Sequence, residues 1–181
     1  MDGLRWAREL AGRLLAEPLP RRWAHSQGVG RAAEAVAYIV GDDAEVLVRA
    51  AWLHDIGYAP DLAKTGFHPL DGARYLRDVE RADVRLCRLV ANHTGALVEA
   101  RERGLAAELA VEFPPVGGLL ADALAFCDLT TSPDGAAVTV QDRLAEIATR
   151  YGAESLVGRC IAESTAAFLS SSRRVLAALT G

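Results

Sequence analysis

The fold class is decided by the segment Leu47-Val48-Arg49-Ala50-Ala51-Trp52-Leu53-His54-Asp55-Ile56-Gly57. Leu47, Ala50 and Ala51 recur at intervals of three and four residues, which is the spacing that aligns side chains on one face of an α-helix. His54 continues the same apolar stripe, and Asp55 follows it where the helix is about to end. The segment therefore predicts a buried helix that ends in an ionisable pair.

The same periodicity extends over almost the whole chain, and no run of alternating or β-branched residues predicts a strand. We therefore expect an all-α fold, arranged as a single compact helical domain over residues 1–181. Prolines, glycines and capping residues divide the pattern into elements. The predicted helices cover residues 4–17, 21–40, 43–56, 69–79, 82–93, 96–110, 116–129 and 139–151, with a C-terminal helix in 152–181.

The charge balance excludes some classes of partner. The formal net charge is −4, so the chain lacks the overall basic field that drives non-specific binding to nucleic acid. We expect no long nucleic acid as a partner. No stretch approaches 18 uncharged apolar residues, so we expect no membrane-spanning segment either.

The cysteines and the amino terminus point to the cytoplasm. Cys87, Cys127 and Cys160 are odd in number, lie far apart and form no Cys-x-x-Cys pair. They are typical of small buried residues in a reducing compartment. The first residues do not resemble the basic start of a signal peptide. We therefore expect a cytoplasmic protein.

Four predicted helices each carry one ionisable residue on an otherwise apolar stripe: His25, His54, His93 and Asp128. A lone histidine in such a place is commonly a hydrogen-bonded core residue. Asp128 is different, because an isolated buried carboxylate costs several kcal/mol and is normally paired or bound to a metal. The neighbouring turns offer no lysine or arginine to pair with it. A cation from outside the chain would satisfy this carboxylate.

The same cation would account for the histidines. All four histidines of the chain lie between residues 25 and 93, and His68 sits in a Gly66-Phe67-His68-Pro69 turn that is short enough to aim its side chain. Neutral imidazole and carboxylate together suit divalent transition metals. The expected cofactor is one or two divalent ions, with Mn, Fe, Ni, Co and Mg all left open.

The order of these residues resembles that of the HD-domain superfamily of metal-dependent phosphohydrolases. The resemblance covers about residues 21–151 and leaves 152–181 as a C-terminal helix. The stretches that carry it are Arg22-Trp23-Ala24-His25-Ser26, Ala51-Trp52-Leu53-His54-Asp55-Ile56-Gly57 and Asp122-Ala123-Leu124-Ala125-Phe126-Cys127-Asp128.

The resemblance implies a set of metal ligands. His25, His54, Asp55 and Asp128 would hold one ion. Members that also carry the two intermediate histidines, here His68 and His93, tend to hold a second ion, with the aspartate of the His-Asp pair as the bridge. The alternative is a single ion, with His68 and His93 in a conformational or substrate-contacting role.

The implied reaction is hydrolysis of a small phosphate ester or anhydride, with a nucleotide as the expected substrate. His54 and Asp55 would serve catalysis through the metal-activated water. Arg22, three residues before His25 on nearly the same helical face, and Lys64, in the loop before His68, are the candidate cationic contacts to phosphate. Of the two, Arg22 is the better candidate, since a solvated surface charge explains Lys64 equally well.

Two other functions fit the same residues. Some relatives with this ligand order use a di-iron centre to activate oxygen, and the ligands alone do not separate the two chemistries. A non-catalytic module that binds a nucleotide is the other alternative. The complete ligand set argues against it, because a degenerate member would be expected to have lost at least one ligand.

Overall fold

A computed structural model describes residues 3–181, and all regular structure within them is helical. The predicted all-α class is therefore confirmed. Residues 1 and 2, where the predicted domain begins, lie outside the described part. The helices are α1 (Gly3–Leu15), α2 (Pro20–Val36), α3 (Ala44–Leu53), α4 (His68–Asp78), α5 (Val84–Ala91), α6 (Ala96–Glu102), α7 (Ala106–Glu112), α8 (Leu119–Leu129), α9 (Val140–Tyr151) and α10 (Leu156–Thr180).

Three predicted helices differ from the observed ones for backbone reasons. The helix predicted over 96–110 is two helices, because Gly104 has a left-handed φ of 72° that a right-handed helix cannot continue. The helix predicted over 21–40 ends at Val36 and gives way to a 3₁₀ segment over Ala37–Asp43. The helix predicted over 43–56 ends at Leu53, and a 3₁₀ turn follows at Ile56–Tyr58.

Helix α3, whose residues 47–53 lead to the His-Asp pair, lies at the centre of the fold. It packs against α1, α2, α5 and α8. Leu47, Ala50, Ala51 and Leu53 are completely buried. Because α3 is surrounded, the residues just beyond its C-terminal end lie inside the protein and face the ends of its neighbours.

The C-terminal helix α10 packs along α8, α9 and α6. Its Phe168 joins Leu129, Val140 and Leu144 in a small apolar cluster, and Val175 belongs to the main core. This position brings the first turns of α10 beside α9. The two helices together form one wall of a cleft that also contains His25, Asp55 and His93.

The three thiols of Cys87, Cys127 and Cys160 are buried and unpaired. Burial is the environment predicted for them from the sequence. Over residues 3–181, the structure contains no helix with both the length and the apolar character needed to cross a membrane.

Candidate metal centre

His54 and Asp55 lie where α3 has just ended. His54 is the C-cap residue, and its Nδ1 donates a hydrogen bond to the carbonyl oxygen of Ala51 at 2.8 Å. The carbonyls in the last turn of a helix lack partners within the helix, so this bond satisfies one of them and fixes the ring. It also leaves Nε2 as the free nitrogen. That atom is fully buried, and no residue in the described part of the chain forms a hydrogen bond with it.

His93 repeats this arrangement at the end of α5. Its Nδ1 donates to the carbonyl oxygen of Val90 at 2.6 Å, again three residues earlier. Its Nε2 lies 3.1 Å from Nε2 of His68. Two helix ends therefore present imidazole nitrogens toward the same interior point.

His25 and Asp128 come from α2 and α8. Nδ1 of His25 lies 3.0 Å from the carbonyl oxygen of Ser132, which can only accept, so Nδ1 is the donor. Nε2 of His25 lies 3.0 Å from Oδ1 of Asp128. The loop reaches His25 because α2 has glycine at position 28, where an added Cβ would lie 2.5 Å from Cγ2 of Thr131. A carboxylate oxygen beside an imidazole nitrogen whose proton is already on Nδ1 is an arrangement that a cation between them satisfies.

His68 is positioned by the loop that precedes α4. The buried carboxylate of Asp71 accepts hydrogen bonds from the backbone amides of Lys64 and Thr65 and from the Thr65 hydroxyl, at 3.0–3.1 Å. The ring of His68 stacks on Tyr58 with 3.9 Å between centroids. Asp71 thus holds the loop, and Tyr58 holds the imidazole that leaves it.

The Asp55 carboxylate lies between two groups of histidines. Its Oδ2 is 3.4 Å from Nε2 of His54 and 3.9 Å from Nε2 of His25. Its Oδ1 is 3.3 Å from Nε2 of His68 and 4.0 Å from Nε2 of His93. One oxygen of the same carboxylate therefore faces each group.

The structure brings all six predicted ligands together and sorts them into two groups. His25, His54 and Asp128 form the first, and Asp55, His68 and His93 form the second; within each group the candidate ligand atoms lie within 4.8 Å of one another. Nitrogen and carboxylate donors of this kind suit divalent transition metals. Nε2 of His54 is the atom that fits the metal best, because it is buried and no described residue forms a hydrogen bond with it, which is costly for a polar atom. Their role as ligands, and Asp55 as a bridge, stay predictions.

Charges within the cluster shift the pKa values of its members. Burial favours the neutral form of Asp55, but Arg22 and His54 hold the pKa of this carboxyl well below its usual range. The pKa of Asp128 is also lowered against the effect of burial, through its close contact with His25 and the charge of His54. Both carboxylates are therefore ionised at neutral pH, as metal ligands must be.

The two helix-end histidines shift in opposite directions. Burial disfavours a charged His54, but the neighbouring Asp55 carboxylate outweighs it and raises the pKa to about 9. For His93, burial acts together with the nearby His68 and His54 and lowers the pKa to about 3. The first group therefore carries a proton at neutral pH that a metal ion would displace, whereas His93 is already neutral.

Of the two cations predicted to contact phosphate, only Arg22 lies at the cluster. Its Nη1 donates to Oδ2 of Asp55 at 2.8 Å, and its guanidinium lies over the Tyr58 ring at 4.1 Å from the centroid. Lys64 is exposed and holds the loop only through its backbone amide, which donates to Asp71. Lys64 is not one of the described residues that line the cleft above the cluster.

Several residues that line the cleft above the cluster were not predicted from the sequence. Arg143 and Tyr151 come from α9, Arg150 lies between them on the same helix, and Tyr58 follows the His-Asp pair. Arg143 could have been recognised from the sequence, because it falls at helical spacing between the apolar residues Val140 and Ile147, which are both buried on the same face of α9. Tyr58, Arg150 and Tyr151 left no such signal, since each is an ordinary surface residue type at an exposed position.

Comparison with known proteins gives one family. The family described as HD domain matches residues 22–150, most of the chain. The matched range holds all six members of the cluster. Comparisons with curated proteins and with solved structures gave no match. With the match spanning well over half of its length, the chain belongs to the HD domain family, whose members are commonly metal-dependent hydrolases.

Proposed function

We propose that this protein hydrolyses a small phosphate ester or anhydride, with a nucleotide as the preferred class, using two divalent metal ions. The proposal depends on the orientation of the Asp55 carboxylate. Its Oδ2 faces the first histidine group and its Oδ1 faces the second. A carboxylate in this position could serve as a common ligand for two ions. Two-ion sites with nitrogen and oxygen ligands are typical of enzymes that cleave phosphate esters.

Each group would supply three protein ligands to its ion, with Asp55 completing the first group as well. Three or four protein ligands leave positions for water and substrate, as a catalytic site requires. When bound, divalent ions supply Lewis acidity, which lowers the pKa of water and neutralises charge on phosphate oxygens. The ring orientations fit this role, because His25, His54 and His93 each donate Nδ1–H to a backbone carbonyl oxygen and direct Nε2 toward the cluster.

Arg22 has two tasks in this proposal. Its hydrogen bond to Oδ2 orients the Asp55 carboxylate, and Tyr58 holds the guanidinium plane in place. The side chain keeps 28% of its surface exposed at the cleft, so nitrogens not bonded to Asp55 are available to a phosphate oxygen. Charge-assisted bonds of this kind stabilise the negative charge that the reacting phosphate carries.

The cleft above the cluster supports a substrate with an organic part. Its walls include Tyr58 and Tyr151 together with the aliphatic side chains of Ile147, Val157 and Ile161. Aromatic and aliphatic surface beside a charged centre suits a molecule with a phosphate at one end and a ring at the other. A nucleotide has this form, and this is the reason for placing nucleotides first among the phosphate compounds.

The test combines metal analysis with phosphate release under nitrogen. We expect the purified chain to bind up to two divalent ions and to release phosphate from p-nitrophenyl phosphate or a nucleotide when Mn, Co, Ni or Mg is supplied without oxygen. Chelation should abolish turnover, and restoring the ion should recover it. Turnover that appears only with iron and oxygen would replace this proposal with the oxygenase chemistry.

A non-catalytic role has its own signature in the same experiment. A chain that binds nucleotide and metal but releases no phosphate from any compound in the screen, with any of these ions, would be a binding module. The complete ligand set favours the hydrolase, because binding alone requires neither group to be intact.

A further inference from the structure

A second cavity opens directly beside the metal centre. It has a volume of about 340 Å³, and its charged lining consists of Arg21, Arg22, Arg143 and Arg150. Arg22, Arg143 and Arg150 also line the cleft above the cluster, as does His25. The two spaces therefore share these side chains, and the second space adjoins the candidate metal ligands through His25. We call this second space the arginine cavity.

The arginine cavity carries more positive charge than its own carboxylates offset. Arg21 is paired with Asp134 at 2.7 and 3.0 Å, and Arg22 with Asp55. Arg143 and Arg150 share a single partner, Glu146. Four guanidinium groups thus face three carboxylates, and one of these carboxylates, Asp55, is committed to the metal cluster. A surplus of positive charge remains on the cavity wall.

Arg143 is the residue that points most clearly to a ligand. Its side chain is only 9% exposed, although arginine is seldom buried without full pairing. Its Nη1 is bonded to Glu146, but no residue within 3–181 accepts from its buried Nε. An unsatisfied buried guanidinium nitrogen is costly, and the cavity it lines is open to an anion that would share the charge. Placing such a residue on the buried face of α9 makes sense when the cavity is occupied by an anion.

We propose that the arginine cavity binds a second phosphate group of the substrate while the first lies at the metal centre. This rests on the proposed function and narrows its substrate class to compounds with two phosphate groups, such as a nucleoside diphosphate or a bisphosphate. Arginine suits this task, because its planar fork binds two oxygens of one phosphate at once. A compound with a single phosphate, held only at the metal centre, leaves the arginines unused.

Binding to the arginine cavity is tested without the metal centre. The metal-free full-length chain is titrated calorimetrically with inorganic pyrophosphate, and the same titration is made with Arg150→Gln, Arg143→Gln and Arg5→Gln. Arg5 is the matched control, an exposed arginine on α1 whose partner Glu9 lies 4.0 Å away and which does not line the cavity. We expect Arg150→Gln and Arg143→Gln to weaken pyrophosphate binding about tenfold or more, as the loss of a charge-assisted hydrogen bond implies, and Arg5→Gln to leave it unchanged.

A second arm uses the metal-loaded enzyme. The kcat/KM for ADP and for adenosine 3′,5′-bisphosphate should fall in Arg150→Gln by about tenfold more than the kcat/KM for p-nitrophenyl phosphate, which carries one phosphate. The compound with the higher kcat/KM shows where the second phosphate lies: directly on the first phosphate, as in ADP, or on another carbon of the ribose, as in the bisphosphate. Thermal unfolding of each variant checks that it is folded, and Arg150, an exposed residue, is the safer substitution.

The outcomes separate this proposal from the general one. If pyrophosphate does not bind, or binds equally to the Arg150, Arg143 and Arg5 variants, the arginines serve only as structural ion pairs and the proposal is wrong. If p-nitrophenyl phosphate is hydrolysed in that case, the proposed function stands without it. If pyrophosphate binds as expected but no compound is hydrolysed, the cavity is an anion site and the hydrolase proposal fails.

Discussion

The two halves of the candidate metal centre are built by different means. In the first group, His25 and Asp128 lie on helices α2 and α8 and His54 caps α3, and these three helices pack against one another in the core. In the second group, His68 is the first residue of α4, and its position depends on the bonds between Asp71 and the backbone of the preceding loop. Packed helices resist displacement of a side chain better than a loop does. The first group is therefore the more rigid half.

Exposure does not separate the two groups, because the side chain of Asp128 in the first is 13% exposed and that of His68 in the second is 12% exposed. His68 differs in its support, since its ring rests on Tyr58, which is itself open to the cleft. Asp55 joins the halves, since its two oxygens face one group each. We expect the first group to hold its ion more tightly and the second to depend on its supports.

The largest effect is expected from Asp55→Ala compared with His93→Ala. Loss of Asp55 removes an oxygen from both groups, so metal content should fall from up to two ions to nearly none. Loss of His93 removes one ligand from the second group only, so about one ion should remain and most hydrolysis should be lost. The metal content of both variants is measured by elemental mass spectrometry, and their stability is measured by thermal unfolding.

One further variant, together with the unfolding temperature of His93→Ala, separates loss of a metal ligand from loss of folding. Asp55→Ala also leaves the Arg22 guanidinium without its buried partner, which costs roughly 3–5 kcal/mol, so Asp55→Asn, which keeps the side-chain shape, is measured beside it. A His93→Ala protein that keeps all its metal and activity but unfolds at lower temperature would show that His93 is a core residue. In that event the loss of stability, about a few kcal/mol, comes from the cavity that the truncated side chain leaves.

A smaller effect, confined to one half, is expected from Asp71→Asn. The amide keeps the shape of the side chain but loses the charge that strengthens its bonds to Lys64 and Thr65. His68 should then be held less firmly, and affinity for the second ion should fall by about 10–100-fold, as for supports of metal ligands in general. Affinity for the first ion should stay the same. Calorimetric titration with Mn²⁺ resolves the two ions.

Asp78→Asn is the control for this variant. Asp78 lies on the same helix, is exposed and pairs with Arg77 away from the cluster. If Asp71→Asn weakens both ions equally, or neither, then the loop does not set the second half apart and the comparison fails.

The smallest expected effect is the release of about one proton when the first group binds its ion. His54 has a pKa of about 9 in the metal-free protein, so at pH 7.5 it is protonated and must lose its proton to bind an ion. His93 has a pKa of about 3 and has no proton to lose. In the His93→Ala chain, which binds only the first ion, calorimetry in buffers of different ionisation enthalpy should show about one proton released from His54.

The sign of the pH dependence follows from the same values. The raised pKa of His54 stabilises the metal-free fold below about pH 6.5, and this contribution is lost as the pH rises through about 9. The lowered pKa of His93 acts in reverse, with stability present above about pH 6.5 and lost as the pH falls toward 3. Binding without proton release at pH 7.5 would contradict the protonated His54.

The sequence predicted most of the fold, and its errors have local causes. The stripe Leu47, Ala50, Ala51 and His54 predicted a buried helix, and α3 is the central helix of the core. The break at Gly104 was missed because a glycine alone does not reveal its φ. The early end of α3 at Leu53 was also missed, yet it is this end that places His54 and Asp55 toward the neighbouring helices.

By itself, the sequence determined the all-α class, and it revealed His25, His54, His93 and Asp128 as breaks in helical periodicity on apolar stripes. Asp55 and His68 were predicted from their places in the chain and from the family resemblance. Only the tertiary structure decided how these residues group, which Asp55 oxygen faces which histidines, and that Arg143 and Arg150 lie beside the centre whereas Lys64 does not. Periodicity reports which face of one helix is buried. The distance between residues on different helices depends on packing angles and loop paths that no single stretch of sequence contains.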